Sequence, residues 1–156
     1  LKILVIAVGT KMPSWVNEGI NEYVKRMPAH IKLVFKEIEA DKRGGRDSEE
    51  RSMQREGRDI IAAIPKKSLV IALDEHGKEH TSMELAKKIA SWQSCSMDIT
   101  LLIGGPNGLS AECKAMAQEL WSLSKLTLPH PLVRVFLAET IYRAWSIDAG
   151  LPYHRE

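Results

Sequence analysis

The residues of this 156-residue chain with chemical potential concentrate between Ile103 and Glu156. There an apolar segment runs into Gly104-Gly105-Pro106-Asn107-Gly108, and Ser110 follows as a good helix N-cap. A run of this kind curves tightly and leaves amides exposed, so a ligand can lie directly against main chain; it serves equally well as a plain turn. Further on, Arg134, Glu139 and Arg143 interrupt an otherwise apolar helical pattern, and the chain closes on Tyr153, His154 and Arg155. Charges on a largely buried helix are costly unless paired or used, which makes these residues candidates for hydrogen bonding or proton transfer. Glu139 and Arg143 stand four apart and also satisfy an ordinary helix ion pair. The tail either frays, as termini do, or closes over a site.

Other chemistries lack their residues. No G-x-x-x-x-G-K-[ST] run grips phosphate, and no G-x-G-x-x-G follows the first apolar segment, where Gly9 stands alone before Thr10 and Lys11. No G-x-S-x-G elbow presents a nucleophile. His76 and His80 flank a glycine without the three or four converging ligands a metal needs, so no metal site is expected. Residues 41–59 carry six basic and six acidic side chains. They read either as a solvated loop entering a charged helix or as a Gly-flexible loop setting Lys42, Arg43 and Arg46 against phosphate.

These groups need a scaffold, and the composition supplies one. At 44% hydrophobic and 27% charged, the chain is an ordinary globular domain, single by its length. A net charge of +2 permits a nucleic-acid partner without demanding one. Apolar runs at 3–8, 31–38, 69–73, 99–103 and 126–128 are expected as strands. Several are apolar throughout, as in parallel strands buried on both faces, whereas Lys32, Lys36 and Glu37 mark the second as exposed or near an edge. Helices are expected from Pro13, from a capping box at Thr81–Glu84 through Trp92, from Ser110 to about Trp121, and over 131–147. The alternation predicts an α/β domain, a mostly parallel sheet with helices on both faces, and ligands bind such sheets beyond the carboxyl ends of the strands. Those ends carry Leu73-Asp74-Glu75-His76, the Gly104 run and Leu128-Pro129-His130. Cys95 and Cys113 read as reduced, buried thiols of a cytoplasmic protein. Residues 1–9 are too short and lack the flanks of a secretory leader, and no run is long enough to span a membrane.

The chain resembles the RlmH type of SPOUT methyltransferase over essentially its whole length. The likeness is carried by Val8-Gly9-Thr10-Lys11, Lys42-Arg43-Gly44, Leu73-Asp74 with Gly77, Ile103-Gly104-Gly105-Pro106, Trp121-Ser122-Leu123-Ser124, Leu126-Thr127-Leu128-Pro129-His130-Pro131-Leu132-Val133-Arg134, Tyr142-Arg143-Ala144-Trp145 and Pro152-Tyr153-His154-Arg155-Glu156. It implies a SPOUT-type sheet with a C-terminal trefoil knot, which neither periodicity nor composition shows. It also implies a homodimer with neither membrane nor DNA as a partner. The implied reaction is N3-methylation of a pseudouridine in 23S ribosomal RNA, on the assembled ribosome, from S-adenosylmethionine and without a metal. Cofactor residues would be Leu73, Gly104, Leu123, Ser124, Lys125, Leu126, Thr127 and Leu128, with the backbone of Lys125 mattering more than its side chain. Catalytic candidates are Arg134, Glu139, Arg143, Tyr153 and His154, with the tail supplied in one version by the partner subunit. Arg143 or Arg155 would instead hold phosphate in another. The competing readings are a ribosome-associated binding protein without turnover and an ordinary nucleotide-binding enzyme.

Overall fold

The computed structural model describes residues 1–41 and 48–154. Lys42, Arg43, Arg46 and Arg155, the candidate phosphate contacts, lie outside the described residues. Ten elements alternate along the chain: β1 (Lys2–Val8), α1 (Ser14–Val24), β2 (Lys32–Ile38), α2 (Ser48–Ala63), β3 (Leu69–Lys78), α3 (Ser82–Ser94), β4 (Ile99–Ile103), α4 (Ala111–Met116), β5 (Glu119–Trp121) and α5 (His130–Asp148). The strands form one parallel sheet in the order β2-β1-β4-β3-β5. β1 and β4, in the middle, are buried almost throughout. β2 is an edge with exposed Lys32 and Lys36, as its charges predict.

Strand periodicity divides the core. Ile3, Val5, Leu101 and Ile71 face Leu85, Ile89, Trp92, Leu137 and Ile141, from α3 and α5. Leu4, Ile6, Val70 and Leu102 face the other way, onto Ile60 of α2 and Cys113 of α4. The connection leaving β3 therefore runs over one face and the connection leaving β4 over the opposite face. Neighbouring strands whose connections part in this way leave a crevice at their carboxyl ends. It falls between Leu73 and Gly104.

Four expectations need correction. The fifth strand is not residues 126–128: β5 is Glu119–Trp121, paired with Ile71, Ala72 and Leu73 of β3. The helix from Ser110 stops at Met116, short of Trp121, because Ala117 turns extended. The β3 edge then captures the chain, the Gln118 amide donating to the Val70 carbonyl while the Gln118 side chain accepts from the Val70 amide. Open ladder groups on an edge strand outweigh local helix propensity here. β3 also continues past Leu73 to Lys78 through an irregularity in its pairing with β5. Gly77 permits it, since a Cβ there would fall 2.6 Å from the carbonyl carbons of Leu120 and Trp121. Of the cysteines, Cys113 is buried but Cys95, just past α3, is exposed.

Candidate active site

The crevice is a cleft of about 670 Å³, within the usual size of a cofactor pocket. One wall is the turn after β4. Gly108 donates its amide to the Gly105 carbonyl at 2.9 Å, closing a β-turn over Pro106 and Asn107 in which Gly108 takes φ +81°. Gly104 lies so close beneath that a Cβ would meet the Gly108 carbonyl carbon at 2.5 Å and the Leu109 nitrogen at 2.7 Å. Behind the turn, buried Glu56 accepts the Asp41 amide, and desolvation pushes its carboxyl above the usual range.

The opposite wall is the segment from Trp121 to His130. Leu73, Gly104, Leu123, Ser124, Leu126, Thr127 and Leu128 all line the cleft. Lys125 does not; its side chain is 87% exposed and reaches toward Glu79. Ser124 folds its hydroxyl onto the Leu126 amide at 2.9 Å. Among the described residues, the Thr127 and Leu128 amides carry no partner. The surface thus combines unspent main-chain donors with apolar side chains and a carboxylate, Asp74, held by Lys114 at 3.1 Å.

His130 also lines this cleft, although sequence reasoning left it outside the candidate set. Its Nε2 lies 3.0 Å from Nε of Arg134. A guanidinium only donates, so this ring nitrogen accepts, and the ring is neutral with its hydrogen on Nδ1. A backbone hydrogen bond links the ring to Gly104. Burial first, and then the Arg134 cation, push its pKa below the ordinary 6.5. Because the unfolded chain binds this proton more readily, the ring's contribution to stability is complete above about pH 6.5 and is lost as pH falls through the lower folded value. Long-range proton–nitrogen correlation spectra should show the Nδ1–H tautomer at pH 7, with His130→Ala flattening the stability profile on the acid side. A ring already protonated at pH 7 would contradict this.

Arg134 is the catalytic candidate that the structure moves elsewhere. It is 1% exposed, and its three nitrogens reach His130, Glu37 at 2.6 Å, and the carbonyls of Val8 and Gly9 at 3.3 and 2.8 Å. Those bonds tie α5 to the ends of β1 and β2. Arg134 is therefore a positioning residue, with its fork spent inside the protein.

The other candidates gather further along the chain, Glu139 five and Arg143 nine residues beyond Arg134 on α5, about 7 and 13 Å at helical rise, with Tyr153 and His154 in the tail. Arg143 donates through Nε and Nη2 to Glu139 Oε2 at 3.0 and 2.7 Å, and the Tyr153 hydroxyl donates to the same oxygen at 2.8 Å. The tail reaches them through a Schellman cap. Gly150, at φ +74°, donates to Ile147 and Leu151 donates to Ser146, reversing the chain onto its own helix. Tyr153 stacks edge-on against Tyr142 at 4.7 Å and beneath the Arg143 guanidinium at 4.9 Å. Burial first, then the bond to Glu139, hold its phenol above the ordinary range, so it is a proton donor here. His154 adjoins it with Nδ1 buried and unpartnered among the described residues. The sequence placed these four residues; it did not reveal that the tail would close on Glu139.

A family model described as "Predicted SPOUT methyltransferase" matches residues 1–154. The chain belongs to the SPOUT methyltransferase family. Solved structures share the fold. A methylase family protein from Haemophilus influenzae aligns over 99% of this chain and 70% of its own length, with a TM-score of 0.56 at 11% identity. One from Neisseria gonorrhoeae aligns over 99% and 86%, with a TM-score of 0.56 at 14% identity. SPOUT methyltransferases take their methyl group from S-adenosylmethionine, and this cleft fits such a group. It has the volume, a wall shaved to glycine at Gly104, and free amides at Thr127 and Leu128. Among the described residues, no helix is long and apolar enough to cross a membrane.

Proposed function

We propose that this SPOUT methyltransferase is of the RlmH type. It methylates N3 of a pseudouridine in 23S ribosomal RNA on the assembled ribosome, working in the cytoplasm as a knotted homodimer. The observation that carries the reading is the cleft between the Gly104 turn and residues 123–128, which fits S-adenosylmethionine along main chain. Bound there, the cofactor supplies an already activated methyl group, so the protein's work is mainly positioning. Leu73, Gly104 and the backbone from Leu123 to Leu128 hold it, and His130 fixes Gly104 from behind. The target imide must give up its N3 proton. Glu139 is the acceptor of choice, because Arg143 and Tyr153 crowd donors onto Oε2 and leave Oε1 without a partner among the described residues. His154 follows Tyr153 in the tail.

One feature supports a homodimer. Trp15 of α1 is 50% exposed, and Leu132 and Phe136 of α5 are each 38% exposed, on two helices that pack against each other. Exposed apolar groups of this size on adjoining helices suit a partner surface. With a net charge of +2 per chain, recognition relies on ribosome shape, and naked RNA is expected to be a poor substrate.

Mass spectrometry of ribosomal RNA from a strain lacking the protein should show one N3-methylpseudouridine missing. Every methyl group remaining in place would identify a binder without turnover. With purified ribosomes, His154→Ala and Arg143→Ala should each lower turnover at least about tenfold, and unchanged rates in both would remove the tail and α5 from the site.

A further inference from the structure

We propose that Arg26, in the turn that closes α1, is a positioning residue that latches the C-terminal tail, holding Tyr153 and through it Glu139 in their working places. The proposal deepens the methyltransferase reading above and rests on it.

The latch is built from α1 upward. Gly19 brings α1 onto α5 so closely that a Cβ there would meet the Val135 side chain at 3.0 Å. One turn further on, Tyr23 reaches Tyr142, ring centroids 6.1 Å apart. α1 stops at Val24, and the Arg26 amide donates to the Tyr23 carbonyl at 3.1 Å, which fixes Arg26 beside these rings. Glu22 then aims its side chain. Oε1 of Glu22 accepts from Arg26 Nη2 at 2.6 Å, while Oε2 pairs with Lys25 at 2.6 Å. The guanidinium carbon rests 5.3 Å from the Tyr23 ring centre, 5.6 Å from that of Tyr142 and 5.9 Å from that of Tyr153. All three fall within the roughly 6 Å reach of a cation–π contact.

This contact differs in origin from those that Tyr153 makes with Glu139, Tyr142 and Arg143. Those three residues stand on α5, the helix onto which the tail folds back. Arg26 comes from α1. The tail is thus tied to a second element at its aromatic anchor, three residues beyond the turn at Gly150. Without that tie the tail can swing about Gly150, and the Tyr153 hydroxyl loses its fixed place on Glu139 Oε2. The Arg26–Glu22 pair is 37% and 41% exposed, so it adds little to global stability and serves to direct the guanidinium. None of Tyr23, Arg26, Tyr142 and Tyr153 lines the cofactor cleft. The latch therefore acts on turnover and not on cofactor binding.

Arg26→Met, which keeps an unbranched stem and removes the cation, tests this in the full-length protein. Nitrogen relaxation should show the amides of Leu151, Tyr153 and His154 gaining fast motion. Turnover on purified ribosomes should fall at least about threefold, the size of one or two exposed cation–π contacts. KM for S-adenosylmethionine and the urea midpoint should stay at their wild-type values. Arg26→Lys, which returns a cation to the rings, should recover most of the tail order and of the turnover. A lower urea midpoint with the tail still fixed would overturn the proposal, making Arg26 a structural contact only. A tail loosened by Arg26→Met, in a protein whose wild type methylates no ribosomes, would remove the methyltransferase reading and leave the latch. Wild-type methylation, with Arg26→Met equally ordered and equally active, would overturn the latch and leave that reading.

Discussion

Arg134→Ala should destabilise the protein by about 3–5 kcal/mol, the cost of breaking up a buried ionic cluster from within. Arg134 is the largest of the fully buried side chains. Its removal leaves the carbonyls of Val8 and Gly9 and the His130 Nε2 without their donor, and opens a void between α5 and the ends of β1 and β2. Each orphaned buried acceptor costs about 1–3 kcal/mol, and the void adds to that. Glu37 contributes less to the loss, because its side chain is 39% exposed and can rehydrate. Urea unfolding should show the midpoint falling with the slope unchanged. Arg134→Lys keeps the charge but replaces a planar fork by a point, so it should recover under about half of the loss. A loss below about 1 kcal/mol for the alanine variant would mean that the guanidinium does not organise this end of the sheet.

Gly104→Ala should weaken S-adenosylmethionine binding at least about tenfold, or about 1.4 kcal/mol, by calorimetry. The obstacle is steric, for the added methyl would stand 2.5–2.8 Å from backbone atoms of Gly108 and Leu109. Those atoms belong to a turn closed by its own hydrogen bond, so the wall must move as a unit into the cleft or away from Leu109. Such overpacking costs roughly 1–3 kcal/mol of stability as well. Two comparisons separate the causes. Gly108→Ala meets nothing within 4 Å but strains a φ of +81°, so it should cost stability with less effect on affinity. Lys125→Ala should leave affinity unchanged, its side chain being outside the cleft.

Periodicity made the central sheet legible. β1, β4 and the first half of β3, residues 69–73, are continuous apolar runs because both of their faces are covered, and the charges of β2 mark an edge. β5 was illegible because three residues leave too little pattern, and its position is set by the open edge of β3. The apolar triplet Leu126-Thr127-Leu128 imitates a strand, yet Leu126 is 76% exposed and the segment forms cleft wall. For the site, the Gly104 run and the charges of α5 could be seen in the sequence. That Arg134 points into the core while Glu139 and Arg143 face a pocket is a matter of helical phase against two neighbouring helices, and no local pattern encodes it. The role of His130 is set by partners four and twenty-six residues away in sequence, Arg134 and Gly104.

The most direct test of the cofactor cleft is a titration of the amide-resolved proton–nitrogen spectrum with S-adenosylmethionine. The largest shifts should fall on Leu73, Gly104, Thr127 and Leu128, saturating together with one dissociation constant. Saturable binding that leaves those four amides unmoved would place the cofactor elsewhere and contradict the account.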